Sequence, residues 1–135
     1  MELTGLVLMS VGAVMYGILP LFADLNKTHA TNPQWPPHAR FHVVNQVLTG
    51  FLIAVISLYL IWLPVGEART SVALALVLGL SVIGGFFASM VFRNFYGGAL
   101  GDKRGGIAKY RNLDLNAVSF GLSGLLLLSG WGLTL

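Results

Sequence analysis

Four long apolar runs dominate the chain, at residues 3–23, 41–63, 71–92 and 117–135. Each is long enough to cross the ~30 Å hydrocarbon core of a bilayer as a helix of about 20 residues. The pattern predicts an all-α fold, an integral membrane four-helix transmembrane bundle that forms one domain over residues 1–135 and leaves no room for a soluble domain. Only Pro64-Val65-Gly66-Glu67 separates the second and third runs, so these two spans are expected to form an antiparallel hairpin.

Polar positions inside these runs are few, and they cluster at one end. At helical pitch His38, His42, Asn45 and Thr49 fall on one stripe, spaced i, i+4, i+7 and i+11, leading into the otherwise apolar second span. Polar groups in lipid are expensive, so the stripe should face protein, water or a ligand. Other spans bring polar residues to the same end: Asn116, Ser119 and Ser123 open the fourth, Ser89 and Arg93 end the third, and Tyr16 and Asp24 end the first. Convergence of four helices predicts an interfacial cavity beneath the two long connections. In that cavity His38 and His42 would be catalytic acid/base groups, Asn45 and Thr49 orienting groups, and Arg40 or Arg93 the contact for an anionic head group. Asp24, His29 and Asn116 complete the expected ligand-binding set. Plainer roles stand beside these: hydrogen bonds between helices for Asn45 and Thr49, bonds to loop carbonyls for the histidines, and a snorkelling lipid anchor for Arg40.

The connections differ in character. Residues 24–37 are dense in hydrogen-bonding and turn residues and end in Pro36 and Pro37, the latter suited to the first turn of a helix that includes His38. Residues 93–116 interleave Gly97, Gly98, Gly101, Gly105 and Gly106 with Asp102, Lys103, Arg104 and Lys109, and are expected to be the more mobile. They match neither the P-loop nor the dinucleotide fingerprint. Small residues recur in the first span (Gly5, Gly12, Ala13, Gly17) and the third (Ser81, Gly84, Gly85, Ala88, Ser89), a pattern that lets helices approach closely, within one bundle or between copies.

Composition agrees with the membrane reading: 56% of the 135 residues are hydrophobic and 10% charged, with a mean hydropathy of +0.78. Glu2 is the only charge before the first run, where a signal peptide would be basic, so that run is expected to be a retained helix. Lys27, Arg40, Arg93, Lys103, Arg104, Lys109 and Arg111 lie in or beside the long connections against Asp24, Asp102 and Asp114, whereas the other side carries only Glu2, Glu67 and Arg69. The resulting +4 against −1 places the long connections in the cytoplasm and both termini outside, in a bacterial inner membrane. Topology accounts for the net charge of +3, and no nucleic-acid partner is implied. Trp62 and Trp131 mark an aromatic belt at the outer end.

Several chemistries drop out. The chain has no cysteine, hence no thiolate site. His38 and His42 have the spacing of a shared metal, but with three histidines in all, no metal and no cofactor is expected. Only the second span carries histidine, so an intrachain bis-histidine haem cannot form. No carboxylate lies deep in a span, as a four-span proton-coupled antiporter would need, no lysine is buried for retinal, and no span is polar along its length as in a channel.

Asp24-Leu25-Asn26 through Asn32-Pro33, followed by Trp35-Pro36-Pro37-His38-Ala39-Arg40-Phe41-His42, resembles the signature of an uncharacterised family of small four-span bacterial and fungal membrane proteins. The resemblance is strongest over residues 24–46 and implies four helices and a shared polar motif, with no activity attached. The architecture is also loosely similar to the emopamil-binding and sigma-2 receptor group, four- to five-helix proteins with sterol-like ligands, although that group's acidic residues have no counterpart here. The expected function is a polytopic membrane protein with a cytoplasm-facing interfacial pocket that binds, or also transforms, a lipid-like or isoprenoid-like molecule. The alternative is a non-catalytic accessory or assembly subunit of a larger membrane complex, for example an electron-transfer or photosynthetic one. Membrane lipids, partner subunits or further copies of the chain are the expected partners.

Overall fold

The computed structural model describes residues 1–101, 109–110 and 113–135. Apart from a two-residue antiparallel pairing of β1 (Lys109–Tyr110) with β2 (Leu113–Asp114), its regular structure is helical. Four helical segments are long and apolar enough to cross a membrane: Leu3–Asp24, Pro37–Trp62, Ala68–Tyr96 and Leu115–Thr134.

The first segment is two helices, α1 (Leu3–Gly17) and α2 (Leu19–Asp24). Pro20 causes the break. It has no N–H to give the Tyr16 carbonyl, and the next amide, Leu21 N–H, donates to Ile18 O at 3.1 Å instead of reaching Gly17. Helix α3 (Pro37–Trp62) starts on a proline whose missing N–H costs nothing in the first turn, which brings His38 and Arg40 inside the helix. Helix α4 (Ala68–Phe92) runs into a 3₁₀ turn at Arg93–Tyr96. Glu67 caps its start, accepting from the Thr70 N–H (3.0 Å) and hydroxyl (2.5 Å) and from the Arg69 N–H (3.3 Å). The Thr70 bonds favour the ionised form and hold the Glu67 carboxyl below its usual value. Gly66, at φ 77°, supplies the left-handed residue that closes this hairpin. Helix α5 (Leu115–Thr134) is capped by Asp114, whose Oδ1 accepts from the Asn116 and Ala117 amides at 3.0 and 3.1 Å.

The helices form a ring in the order α1, α3, α4, α5, each neighbour antiparallel to the next. The core is built from Met9, Ala13, Tyr16, Ala54, Ile61, Val72, Ala75, Ile83 and Leu127, while Leu52, Ile56, Leu74, Val77 and Leu125 point outward. Its polar members are paired: Tyr16 Oη donates to Ser57 Oγ (2.8 Å) and Ser123 Oγ to the Gly12 carbonyl (2.7 Å). Where α1 crosses α3, Gly17 lies against Ala54 with no space for a side chain. A groove opens between α3 and α4 along residues 45–53 and 81–89.

Candidate functional site

The first connection is folded by its own polar side chains. Asn26 Oδ1 accepts from the Thr28 amide (2.8 Å) and hydroxyl (2.6 Å), while Asn26 Nδ2 donates to the Phe22 and Ala23 carbonyls that end α2. Asn32 is buried, its Oδ1 accepting from Gln34 N–H at 2.9 Å. This scaffold sets His29 edge-on to Trp35, with ring centroids 5.0 Å apart, and puts its Nδ1 2.7 Å from Thr28 Oγ1 and 3.6 Å from Asp24 Oδ1.

Two adjoining cavities lie at the end of the bundle carrying the long connections. The first, about 120 Å³, is central and lined by Tyr16, Pro20, Asp24, Gln46, Asn116 and Ser119 among others. The second, about 680 Å³, is a lateral groove between α3 and α4 lined by Asn45, Gln46, Thr49, Ser81, Ser89 and Tyr96. They share Gln46, Gly50, Val82, Phe86 and Phe120 as a common wall. Phe86 and Phe120 stack there, with centroids 4.4 Å apart and planes at 5°. Tyr96 is held over the groove by a 2.8 Å hydrogen bond from its hydroxyl to the Ser89 carbonyl.

The predicted site residues therefore separate into groups. Asn45 and Thr49 lie on the groove wall, Asp24 and Asn116 on that of the central cavity. His38 and His42 are brought together, with Nε2 atoms 3.0 Å apart and rings edge to face, but they are exposed and line neither cavity. Arg93 donates to the Met90 carbonyl at 2.8 Å, and Arg40 has a buried Nε with no partner among the described residues. Neither arginine lines a cavity. Among the described residues no three His, Cys, Asp or Glu side chains gather as a metal-ligand set. The glycine-rich stretch around Asp102, Lys103 and Arg104 lies outside the described residues.

Gln46 was not singled out from the sequence, yet it borders both cavities. An amide in an apolar run was the available signal, and the argument applied to Asn45 covers it equally. Tyr16 and Ser123 were grouped with the polar end, but their hydroxyls bond within the core. Asn45, Gln46, Thr49, Asn116 and Ser119 have side chains with no hydrogen bond to any described residue, although each borders a cavity. No curated protein and no solved structure matches this chain. Residues 8–98 match the family of unknown function DUF6640, a span that holds α3, α4, the first connection and most of the groove wall, and the chain belongs to that family.

Proposed function

We propose that the chain is an integral membrane protein, of a bacterial inner membrane, whose α3–α4 groove binds a lipid-like or isoprenoid-like molecule near the cytoplasmic face. The observation that carries this reading is the set of five unpaired polar side chains on the two cavity walls. None of the five is fully buried by its own chain, and a polar group facing hydrocarbon without a partner is costly, so amides and hydroxyls retained in apolar helices imply something that meets them. The groove's size falls within the range of about 300–1,000 Å³ common to small-molecule sites. Its apolar members Ile53, Val82, Phe86 and Phe120 suit a hydrocarbon chain, and Asn45, Thr49 and Ser89 a polar end. Because Asn45, Thr49, Ser81 and Gly85 are exposed, the groove is open laterally, a route by which a molecule dissolved in the bilayer enters. Transformation of that molecule would rest on His42 and His38, about one and two turns beyond Asn45 and outside both walls.

Full-length protein in mild detergent, read by melting temperature and by mass analysis of co-purifying molecules, tests the groove. Asn45→Leu and Thr49→Val should melt at or above the parent temperature and lose the retained molecule. Early melting of both with the parent's bound-molecule profile rejects the reading. Orientation follows from the charge bias, so cysteines placed at Lys103 and Glu67 should react with an impermeant reagent from opposite sides. Labelling of Lys103→Cys from outside intact cells reverses it.

One observation favours the second reading, an accessory subunit or homo-oligomer. At Gly84 and Gly85 on α4 no atom of a described residue outside their own stretch of helix lies within 4 Å of where a side chain would begin, so no other described element covers α4 at these two positions.

A further inference from the structure

The central cavity has a chemistry of its own. Asp24 is the only charged residue on the described walls of either cavity. Its carboxylate accepts no hydrogen bond from a described residue, and its one ion-pair neighbour, His29 Nδ1 at 3.6 Å, is closer to Thr28 Oγ1 at 2.7 Å. The break at Pro20 leaves the Tyr16 carbonyl without its helical donor, and this oxygen lies 3.9 Å from where a Gly50 side chain would begin, Tyr16 and Gly50 both lining the cavity. Gln46, Asn116 and Ser119 add side-chain oxygens that no described residue engages. Interrupted membrane helices commonly bind cations through carbonyls released in this way. A volume of about 120 Å³ holds a small cation with a few waters, since one water needs roughly 10–15 Å³ measured this way.

We propose that this cavity is a cation site in which Asp24 supplies the charge and the Tyr16 carbonyl, Gln46, Asn116 and Ser119 supply neutral oxygens. The cation is either a free small metal ion or the ammonium group of an amphiphile whose chain passes the Phe86–Phe120 wall into the groove. An anion is disfavoured because no lysine or arginine among the described residues lines the wall and the carbonyl can only accept. As a free-ion site it is independent of whether the groove is filled; as an ammonium site it rests on the groove reading.

The test uses full-length protein in a neutral detergent, with melting temperature followed as sodium or potassium replaces N-methylglucamine at constant ionic strength. A second arm compares decylammonium with decanol. One arm should give a saturable rise, because a ligand that binds only the folded state stabilises it in proportion to its occupancy. Sodium or potassium identifies a free ion, and decylammonium without decanol identifies the amphiphile. The apparent affinity should fall roughly tenfold or more in Asp24→Asn, fall by a smaller factor in Asn116→Leu, and stay at the parent value in Glu67→Gln, whose carboxylate only caps α4. If Asp24→Asn does not fold, Asn116→Leu and Ser119→Ala carry the test, and parent-like affinity in both overturns the site. The absence of a saturable response in both arms, or an equal response in Asp24→Asn, means a water-filled cavity and sinks the proposal. Such a result in protein that still retains a lipid in the groove leaves the groove reading intact, and loss of the lipid with a saturable cation response does the reverse.

Discussion

The α1–α5 seam and the α3–α4 seam are both antiparallel helix pairs rich in small residues, and they are built to opposite ends. Along α1–α5 the backbones nearly touch. A side chain beginning at Gly5 would lie 2.6 Å from the Gly130 carbonyl, and one at Gly130 would lie 2.6 Å from the Gly5 carbonyl. Ser123, fully buried, ties the same seam by donating to the Gly12 carbonyl. Between α3 and α4 lies the lateral groove, and Gly84 and Gly85 on α4 meet no described atom outside their own stretch of helix. In lipid there is little hydrophobic drive between helices, so close packing and hydrogen bonds hold them. The α3–α4 seam instead leaves a space, and that space is lined by the unpaired amides Asn45 and Gln46. One seam therefore supplies cohesion and the other the proposed site.

The contrast is broken most severely by filling the tight seam. Gly130→Ala places a methyl group against the Gly5 carbonyl, Met9 Cγ at 2.6 Å and the Met9 amide at 2.9 Å, two of the three being backbone that cannot swing aside. Overpacking of this kind costs about 1–3 kcal/mol. Gly130→Ala and Gly5→Ala should each lower the melting temperature clearly in detergent, and the pair together by less than the sum, because both strain the same crossing. Parent-like melting of both would mean that the seam is looser than described.

The four spans were legible because runs of about 20 apolar residues have few other uses. The position of polar residues along the axis was legible too, which is why Asn45, Thr49, Asp24 and Asn116 all reach a cavity wall. What each helix turns toward its neighbours was not, since rotation about the axis is set by pairing among four helices whose surfaces are apolar all round. Spacing therefore puts Ser123 at the polar end although it is buried against α1, and singles out Asn45 but not its neighbour Gln46, which borders both cavities. Two stripes of small residues look alike in sequence, although Gly5, Gly12 and Gly17 of α1 are tightly packed and Gly84 and Gly85 of α4 are not. The histidine pair was placed together correctly by its i, i+4 spacing, yet spacing within one helix says nothing of the wall that helix faces.

The smallest effect sharpens the comparison from its open side. Gly84→Ala adds a methyl group where no described atom outside its own stretch of helix lies within 4 Å, and it removes a helix-interior glycine, which is about 0.5–1 kcal/mol worse than alanine. If lipid covers this face of α4, the variant should melt at the parent temperature or slightly above it, with an unchanged mass of the protein–detergent complex by light scattering. If another chain covers it, the same methyl group meets a backbone at close range and the substitution behaves as Gly130→Ala does: the complex loses mass and melts earlier. Light scattering thus decides between a free bundle with a lateral groove and a subunit whose α4 face belongs to a neighbour, and an unchanged mass with raised melting is the outcome expected of the groove reading.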